Sequence, residues 1–411
     1  MPVGEPVGLQ DDLIKTLTTG LTQGAPLGLA VSGGGDSMAM LHLAHRAGLR
    51  PHVATVDHGL RAASADEAGM VARVCADLNL PHVTLAWQGW DQRGNLQDAA
   101  SRARRRLLAD WAQGLSAVAF AHTRDDLAET FLMRLGRGAG VDGLAAMRPH
   151  WHEHGIRFVR PLLDTTRADL RAFLRSINAD WVDDPSNEMD RFDRVRVRKA
   201  LKLLTPLGID STRIAEVAAH MSQARMALEA GTEALMLAHI SGRAGVLRIS
   251  PQIFDAPLDL QRRLLQRVIN WVHPQDYGPR GAALVALRDR LYKGLGGQLA
   301  GCHFLVNRGA IFAFREGKSL QRHEAGQLWD GVWQICEPVV DTQIGPLGAD
   351  GLRQWADWRD MGIPRAALLS QPSLWQGETL MCTPLMAVLG GQQVFFRLKQ
   401  GNCLDDLNLS H

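Results

Sequence analysis

The sequence predicts an α/β fold in its first half, a doubly wound parallel sheet, followed by a helical domain and a smaller β-containing C-terminal domain. Three observations point there. Residues 27–135 repeat a short apolar run, a few turn residues and a longer helical stretch, which is the rhythm of strand–helix–strand units. The apolar runs are continuous, as in strands buried on both faces. A glycine-rich turn separates the first run from the first helix, where parallel sheets place their ligands.

Taken in order, strands are expected at LGLAV (27–31), HVATV (52–56), HVTLAW (82–87) and AVAFA (117–121), with helices beginning near Ser37, Ser64, Asn95 and Asp125. Short connections between parallel strands bring all their carboxyl ends to one edge. Further on, Asp210, Ser211 and Thr212 can cap a long Ala-, Met- and Leu-rich helix running toward Ile240, and LDLQRRLLQRVINWV (258–272) carries a helical stripe. From Leu299 to Phe314, and again after Trp329, short apolar runs alternate with Gly and Pro, which suggests strands. The expected domains are therefore 1–204, a mainly helical 205–318 and an α+β 319–411.

Composition narrows the function classes. At 46% hydrophobic and 21% charged residues, the 411-residue chain is an ordinary globular protein. Lys plus Arg is 45 against 43 for Asp plus Glu, so a nucleic-acid role has to show as local clustering. The five cysteines, Cys75, Cys302, Cys336, Cys382 and Cys403, are scattered and form no Cys-x-x-Cys. That argues against a disulfide frame, a zinc ribbon and a cluster-binding trio, and fits a reducing cytoplasm. The acidic start has no apolar segment of a secretory signal. The uncharged stretch Thr379 to Phe396 is interrupted by Pro384, Gly390 and Gly391, and no membrane span is expected.

Ser32-Gly33-Gly34-Gly35-Asp36-Ser37 is the sharpest motif. Glycines there let several N–H groups and a helix N-terminus converge on phosphate oxygens. Asp36 is repelled by phosphate, so its task is to hold Mg²⁺, while Ser32 and Ser37 can hydrogen-bond phosphate. The motif reads as a pyrophosphate cradle, against the alternative of a capped strand-to-helix turn. Asp57 and His58 end the second strand, and His122, Asp126 and Glu129 follow the fourth, so both clusters emerge at the same edge. Asp126 and Glu129 are three apart on a helix and share a face on which two carboxylates can grip one ammonium group; helix N-terminal charge is the plainer reading of Asp125 and Asp126. Cations gather in SRARRR (101–106) and in RFDRVRVRKALK (191–202), six against Asp193 alone, suited to phosphate or RNA or merely to solvent.

Other matches fail on context. Gly138-Ala139-Gly140-Val141-Asp142-Gly143 follows a helical run instead of a strand, so it reads as a loop. Gly317-Lys318-Ser319 has Phe312 where an NTPase loop needs glycine. His150, His152 and His154 lack the helical spacing of zinc enzymes and read as surface residues. Most of the eleven Trp read as core.

Together, SGGGDS (32–37), VDHGLR (56–61), NLQDAASRARRRLL (95–108), AHTRDDLAET (121–130), GRGAGVDGLAAM (136–147), RPLL (160–163) and WVDDPSNEMDRFDRVRVR (181–198) resemble the N-type ATP pyrophosphatases and, within them, the tRNA(Ile)-lysidine synthases. The resemblance implies a ligase that uses ATP and Mg²⁺ to join L-lysine to C2 of the wobble cytidine of a CAU-anticodon tRNA(Ile), through an adenylated cytidine. It implies ATP binding at Ser32 to Ser37 with Asp57 and His58, Mg²⁺ on Asp36, and lysine on Asp126 and Glu129. Catalysis falls to Asp36, Arg104, His122 and Arg194, tRNA contacts to Arg194, Arg196 and Arg198, and tRNA binding also to the two later domains; a homodimer is left open. Ser101, Arg105 and Val195 depart from the family pattern. A tRNA thiolase of the same superfamily and a non-catalytic nucleotide-sensing RNA-binding protein are the rival readings.

Overall fold

The four expected apolar runs are strands β1 (Leu27–Ala30), β2 (His52–Asp57), β3 (His82–Ala86) and β4 (Ala117–Phe120) in a computed structural model. It describes residues 26–59, 64–87, 96–183, 193–275, 278–279, 281–317, 320–335, 341–386 and 396–398, with Asp11 and Lys15. A hairpin, β5 (His150–Glu153) and β6 (Ile156–Val159), completes a sheet ordered β3-β2-β1-β4-β6-β5. Every pairing is parallel except β5 with β6. The hairpin escapes sequence reading because its tight turn is made by His154 and Gly155, both at positive φ, where His gives no turn signal of its own.

Alternate residues of the central strands feed two cores, which is why their sequences show no polar alternation. Leu29, Ala117 and Ala119 pack with Met38, Leu41 and Phe173 on one face. Ala30, Val118 and Phe120 pack with Leu108 and Phe158 on the other. The helices of this region are α1 (Gly35–Arg46), α2 (Ser64–Asp77), α3 (Leu96–Trp111), α4 (Arg124–Leu135), α5 (Val141–Leu144), α6 (Arg167–Ser176) and α7 (Asp193–Leu204), followed by α8 (Ser211–His239). The chain builds β2 and β3 on one side of β1 and then places β4 on the other. The loops leaving β1 and β4 therefore flank the switch point, where an open parallel sheet has its ligand crevice.

Contacts divide the chain into two units, Met1–Arg225 and Met226–His411. In the second, α9 (Leu258–Val272) and α10 (Gly281–Tyr292) cover a five-stranded antiparallel sheet, with Leu264, Leu265, Leu284 and Leu287 packed against Phe304 and Ile311. Two of its strands, Ile240–Arg243 and Val246–Ile249, fall within the region expected to be mainly helical, joined by a turn at Ala244 and Gly245. A four-stranded antiparallel sheet follows, with Ile344 and Leu374 packed on Trp329. Among the described residues, no helix is long and apolar enough to cross a membrane.

Candidate active site

The loop after β1 is shaped by its own hydroxyls. Gly33 sits at φ +86°, in the left-handed region that glycine enters without a Cβ penalty. Ser37 is buried, and its Oγ accepts the Ser32 N–H at 3.1 Å and donates to the Gly34 carbonyl at 2.9 Å. Ser37 thus braces the loop, whereas Ser32 is exposed. Gly34 caps α1 in extended backbone, leaving the first N–H groups of the helix without intrahelical partners. Trp181 and Val182 close one side: Val182 N–H donates to the Gly33 carbonyl at 2.9 Å, and a Cβ on Gly35 would meet Trp181 at 3.3 Å. Arg171 secures this segment from α6 through Asp183, at 2.6 Å.

The loop after β4 turns into α4 through a capping box, in which Thr123 N–H donates to Asp126 Oδ2 at 2.9 Å and Thr123 Oγ1 accepts from Asp126 N–H. The box fixes Asp126, and one helical turn later Glu129 shares its face. Both carboxylates close on one cation, Arg167, with Nη2 to Asp126 at 2.8 Å and Nη1 to Glu129 at 3.1 Å. Its Nε reaches Asp36 at 3.2 Å, so one guanidinium joins the glycine loop to the carboxylate pair. Arg198 donates to Glu129 Oε1 at 2.8 Å. Asp36 Oδ1 and Glu129 Oε2 are buried without a hydrogen-bond partner among the described residues.

Charge follows geometry. Burial, opposed by Arg167, pushes the Asp36 carboxyl up to about 6. Burial acts against Asp126 too, but Arg167 and the Thr123 N–H outweigh it and hold this carboxyl below its usual range. Arg167 is held more firmly protonated than usual, because Asp126, Glu129 and Asp36 overcome its desolvation.

A cationic cluster adjoins His122. Its ring stacks on Phe120 at 5.7 Å, and its Nδ1 accepts from Arg160 Nε at 3.1 Å. Arg104 lies over the Phe120 ring at 4.9 Å. Burial, reinforced by Arg160, Arg104 and Arg194, pushes His122 down to about 3, while burial brings Arg104 and Arg160 down to about 10.

The remaining expected residues have local roles. Asp57 Oδ1 accepts from Gly59 N–H at 2.8 Å and Ser64 Oγ at 2.6 Å, and the Ser64 bond chiefly holds its carboxyl below the usual range. His58 meets Trp87 edge-on. Arg196 pairs with Asp193 and is exposed, as is Arg194. The departures at Ser101 and Arg105 are coupled: Arg105 donates to Ser101 Oγ at 2.8 Å and pairs with Glu153 on β5. Val195 is buried. The described cysteines, Cys75, Cys302 and Cys382, are buried free thiols. Arg61, Asn95, the Asp-Pro-Ser-Asn run at 184–187, Lys318, Ser319, Cys336 and Cys403 lie outside the described residues.

Sequence reading assigned no role to Arg160 or Arg167. A signal for Arg167 existed: it occupies the first position of α6 after Thr166, where the helix dipole repels a cation. A cation there needs carboxylates from elsewhere, and only the fold supplies them.

A family model described as the PP-loop domain matches residues 10–204. The chain is 47% identical to the tRNA(Ile)-lysidine synthase of Ruegeria pomeroyi over 399 residues, covering 94% of each chain. It is 41% identical to the tRNA(Ile)-lysidine synthase of a Bradyrhizobium species over 289 residues, 66% of this chain and 80% of that one.

Proposed function

The chain belongs to the tRNA(Ile)-lysidine synthases, a family of PP-loop enzymes, and from that membership we propose how its own residues carry out the reaction. The activity is ATP-dependent ligation of L-lysine to C2 of the wobble cytidine in the CAU anticodon of tRNA(Ile). One observation carries the assignment of the site: Asp126 and Glu129 grip a single guanidinium that also reaches Asp36 beside the glycine loop. A carboxylate pair suited to an ammonium group thus adjoins a turn suited to phosphates.

In the first step, the cytidine O2 bonds to the α-phosphorus of ATP and the bond to the β-phosphate breaks, so pyrophosphate leaves with the electron pair. The N–H groups from Gly33 to Ser37 bind and orient the phosphates, and Arg104 and Arg194 offset their charge. In the second step, the lysine side-chain nitrogen gives up a proton to solvent and its lone pair bonds to C2, while the C2–O2 bond breaks and AMP departs with the former O2 and the electron pair. Before that proton leaves, Asp126 and Glu129 hold the lysine ammonium beside that carbon, with Glu129 Oε2 as the buried acceptor left for it.

The donor set fits Mg²⁺. Asp36 presents a buried Oδ1 without a protein partner, and among the described residues no group of three or more acidic, His or Cys side chains surrounds it. One carboxylate completed by phosphates and water is the usual way this ion is bound beside a nucleotide. When bound, it supplies charge stabilisation for the departing pyrophosphate. Residues 1–204 are the catalytic portion in this reading, 205–318 and 319–411 bind tRNA, and the enzyme works in the cytoplasm.

Mass analysis of tRNA nucleosides after reaction with isotopically labelled lysine tests the proposal. The expected product is a lysine-bearing cytidine, with AMP and pyrophosphate released only when both lysine and CAU-anticodon tRNA are present. A sulfur-bearing nucleoside, or ATP binding without turnover, refutes it.

A further inference from the structure

His122 is half-buried at the exit of β4, and Arg160, the first residue after β6, holds it from one side. Arg160 Nε donates to His122 Nδ1 at 3.1 Å, Nη1 donates to the Arg148 carbonyl, and the guanidinium lies over Trp151 at 3.9 Å. These three contacts leave it little freedom to turn away. A guanidinium carries only donors and does not give up its proton in a protein. Nδ1 must therefore present its lone pair, and the one proton of a neutral imidazole must sit on Nε2.

We propose that Arg160 is a positioning residue that locks His122 as the neutral Nε2–H tautomer, so that His122 meets the reacting phosphate as a hydrogen-bond donor and not as a proton acceptor. This rests on the reading of the site given above. The charged groups around the ring agree with it. Arg160, Arg104 from α3 and Arg194 from α7 all oppose a second proton on the ring and so keep it neutral. Asp126 from α4 favours one, but its oxygens are engaged by Thr123 and Arg167. The chemistry agrees as well. The attacking atom of the first step is a carbonyl oxygen with no proton to remove, so a base at His122 has nothing to accept, whereas a donor stabilises the charge gathering on the phosphate oxygens.

Nitrogen-15 spectra of the histidine-labelled, substrate-free protein test the tautomer, with the His122→Gln variant identifying the signal. The expected pattern is a neutral ring protonated at Nε2 and unchanged between pH 5.5 and 8. A ring protonated at Nδ1, or a midpoint inside that range, overturns the proposal. Pyrophosphate release from ATP and tRNA without lysine tests the role. Replacing His122 by Ala should slow it by about 100-fold, the usual loss for one missing donor. His122→Gln, whose amide still donates, should stay within about 10-fold of wild type on the same scale.

In Arg160→Met the tautomer is released, so the rate should fall as pH rises and the ring loses its second proton; Arg160→Lys should restore a flat profile. A His122→Gln variant as slow as His122→Ala, or an Arg160→Met rate that climbs with pH as a base requires, refutes the donor role. The two levels of failure are distinguishable, because the spectrum is read without substrate whereas the ligase reading is judged by the labelled-lysine product.

Discussion

Replacing Arg167 by Met removes the cation shared by Asp36, Asp126 and Glu129, at 3.2, 2.8 and 3.1 Å. With Arg198 also on Glu129, these side chains sum to a formal charge of −1, and the variant takes them to −2. Glu129 is only 1% exposed and Asp126 12%, so water cannot replace the lost partner. Breaking a buried pair in this way costs about 3–5 kcal/mol. For a unit of roughly this size, that is a fall in Tm of roughly 6–20 °C.

The pH dependence has a definite sign. Arg167 lowers the Asp36 carboxyl against the effect of burial; without it the folded-state value rises further above the unfolded one. Stability is then retained while Asp36 is protonated and lost as pH rises through that value. Melting curves of the metal-free protein should show a smaller gap between wild type and variant at pH 5 than at pH 8. Adding Asp126→Asn removes a carboxylate left without its cation and should recover about 0.5–3 kcal/mol of the loss. A drop below about 2 °C, less than 1 kcal/mol for such a unit, or an equal drop at both pH values refutes the shared-counterion account.

Asp36→Asn should abolish pyrophosphate release, yet it should stabilise the metal-free protein at pH 8. The wild-type carboxyl rises from 3.8 to about 6, so its ionised form costs up to about 3 kcal/mol. The gain should vanish below pH 4, and a melting-temperature difference independent of pH contradicts it. Glu129→Gln should raise the lysine concentration for half-maximal AMP release by about tenfold or more, consistent with weakening a charge-assisted contact, while sparing lysine-independent pyrophosphate release. Unchanged lysine dependence removes Glu129 from the lysine site. Gly33→Ala places a Cβ at φ +86° and 3.3 Å from Met70; it should cost about 1–2 kcal/mol and weaken ATP binding measured by calorimetry, and full retention of both shows that the loop can re-form.

The parallel sheet was legible because strands buried on both faces must be apolar throughout, as LGLA (27–30) and AVAF (117–120) are. The glycine loop was legible because a sharp turn opening a helix demands residues without a Cβ. Asp126 and Glu129 could be paired from helical spacing alone, and that they close on one cation follows from the same geometry. The hairpin at 150–159 and the strands at 240–249 were not legible, because polar residues interrupt each of HWHE, IRFV, ISGR and VLRI and the identity of such a strand depends on the partner it finds in the sheet.

Local spacing thus determined the strands, the turn and the carboxylate pair, since these depend on neighbours a few residues apart. Only the tertiary structure decided which cations serve them. Arg167 is 131 residues from Asp36 and 41 from Asp126, Arg198 is 69 from Glu129, and Arg160 is 38 from His122. No periodicity links such positions. Burial makes each unpaired charge costly, and the folded chain meets that cost with whichever guanidinium its topology carries to the end of the sheet.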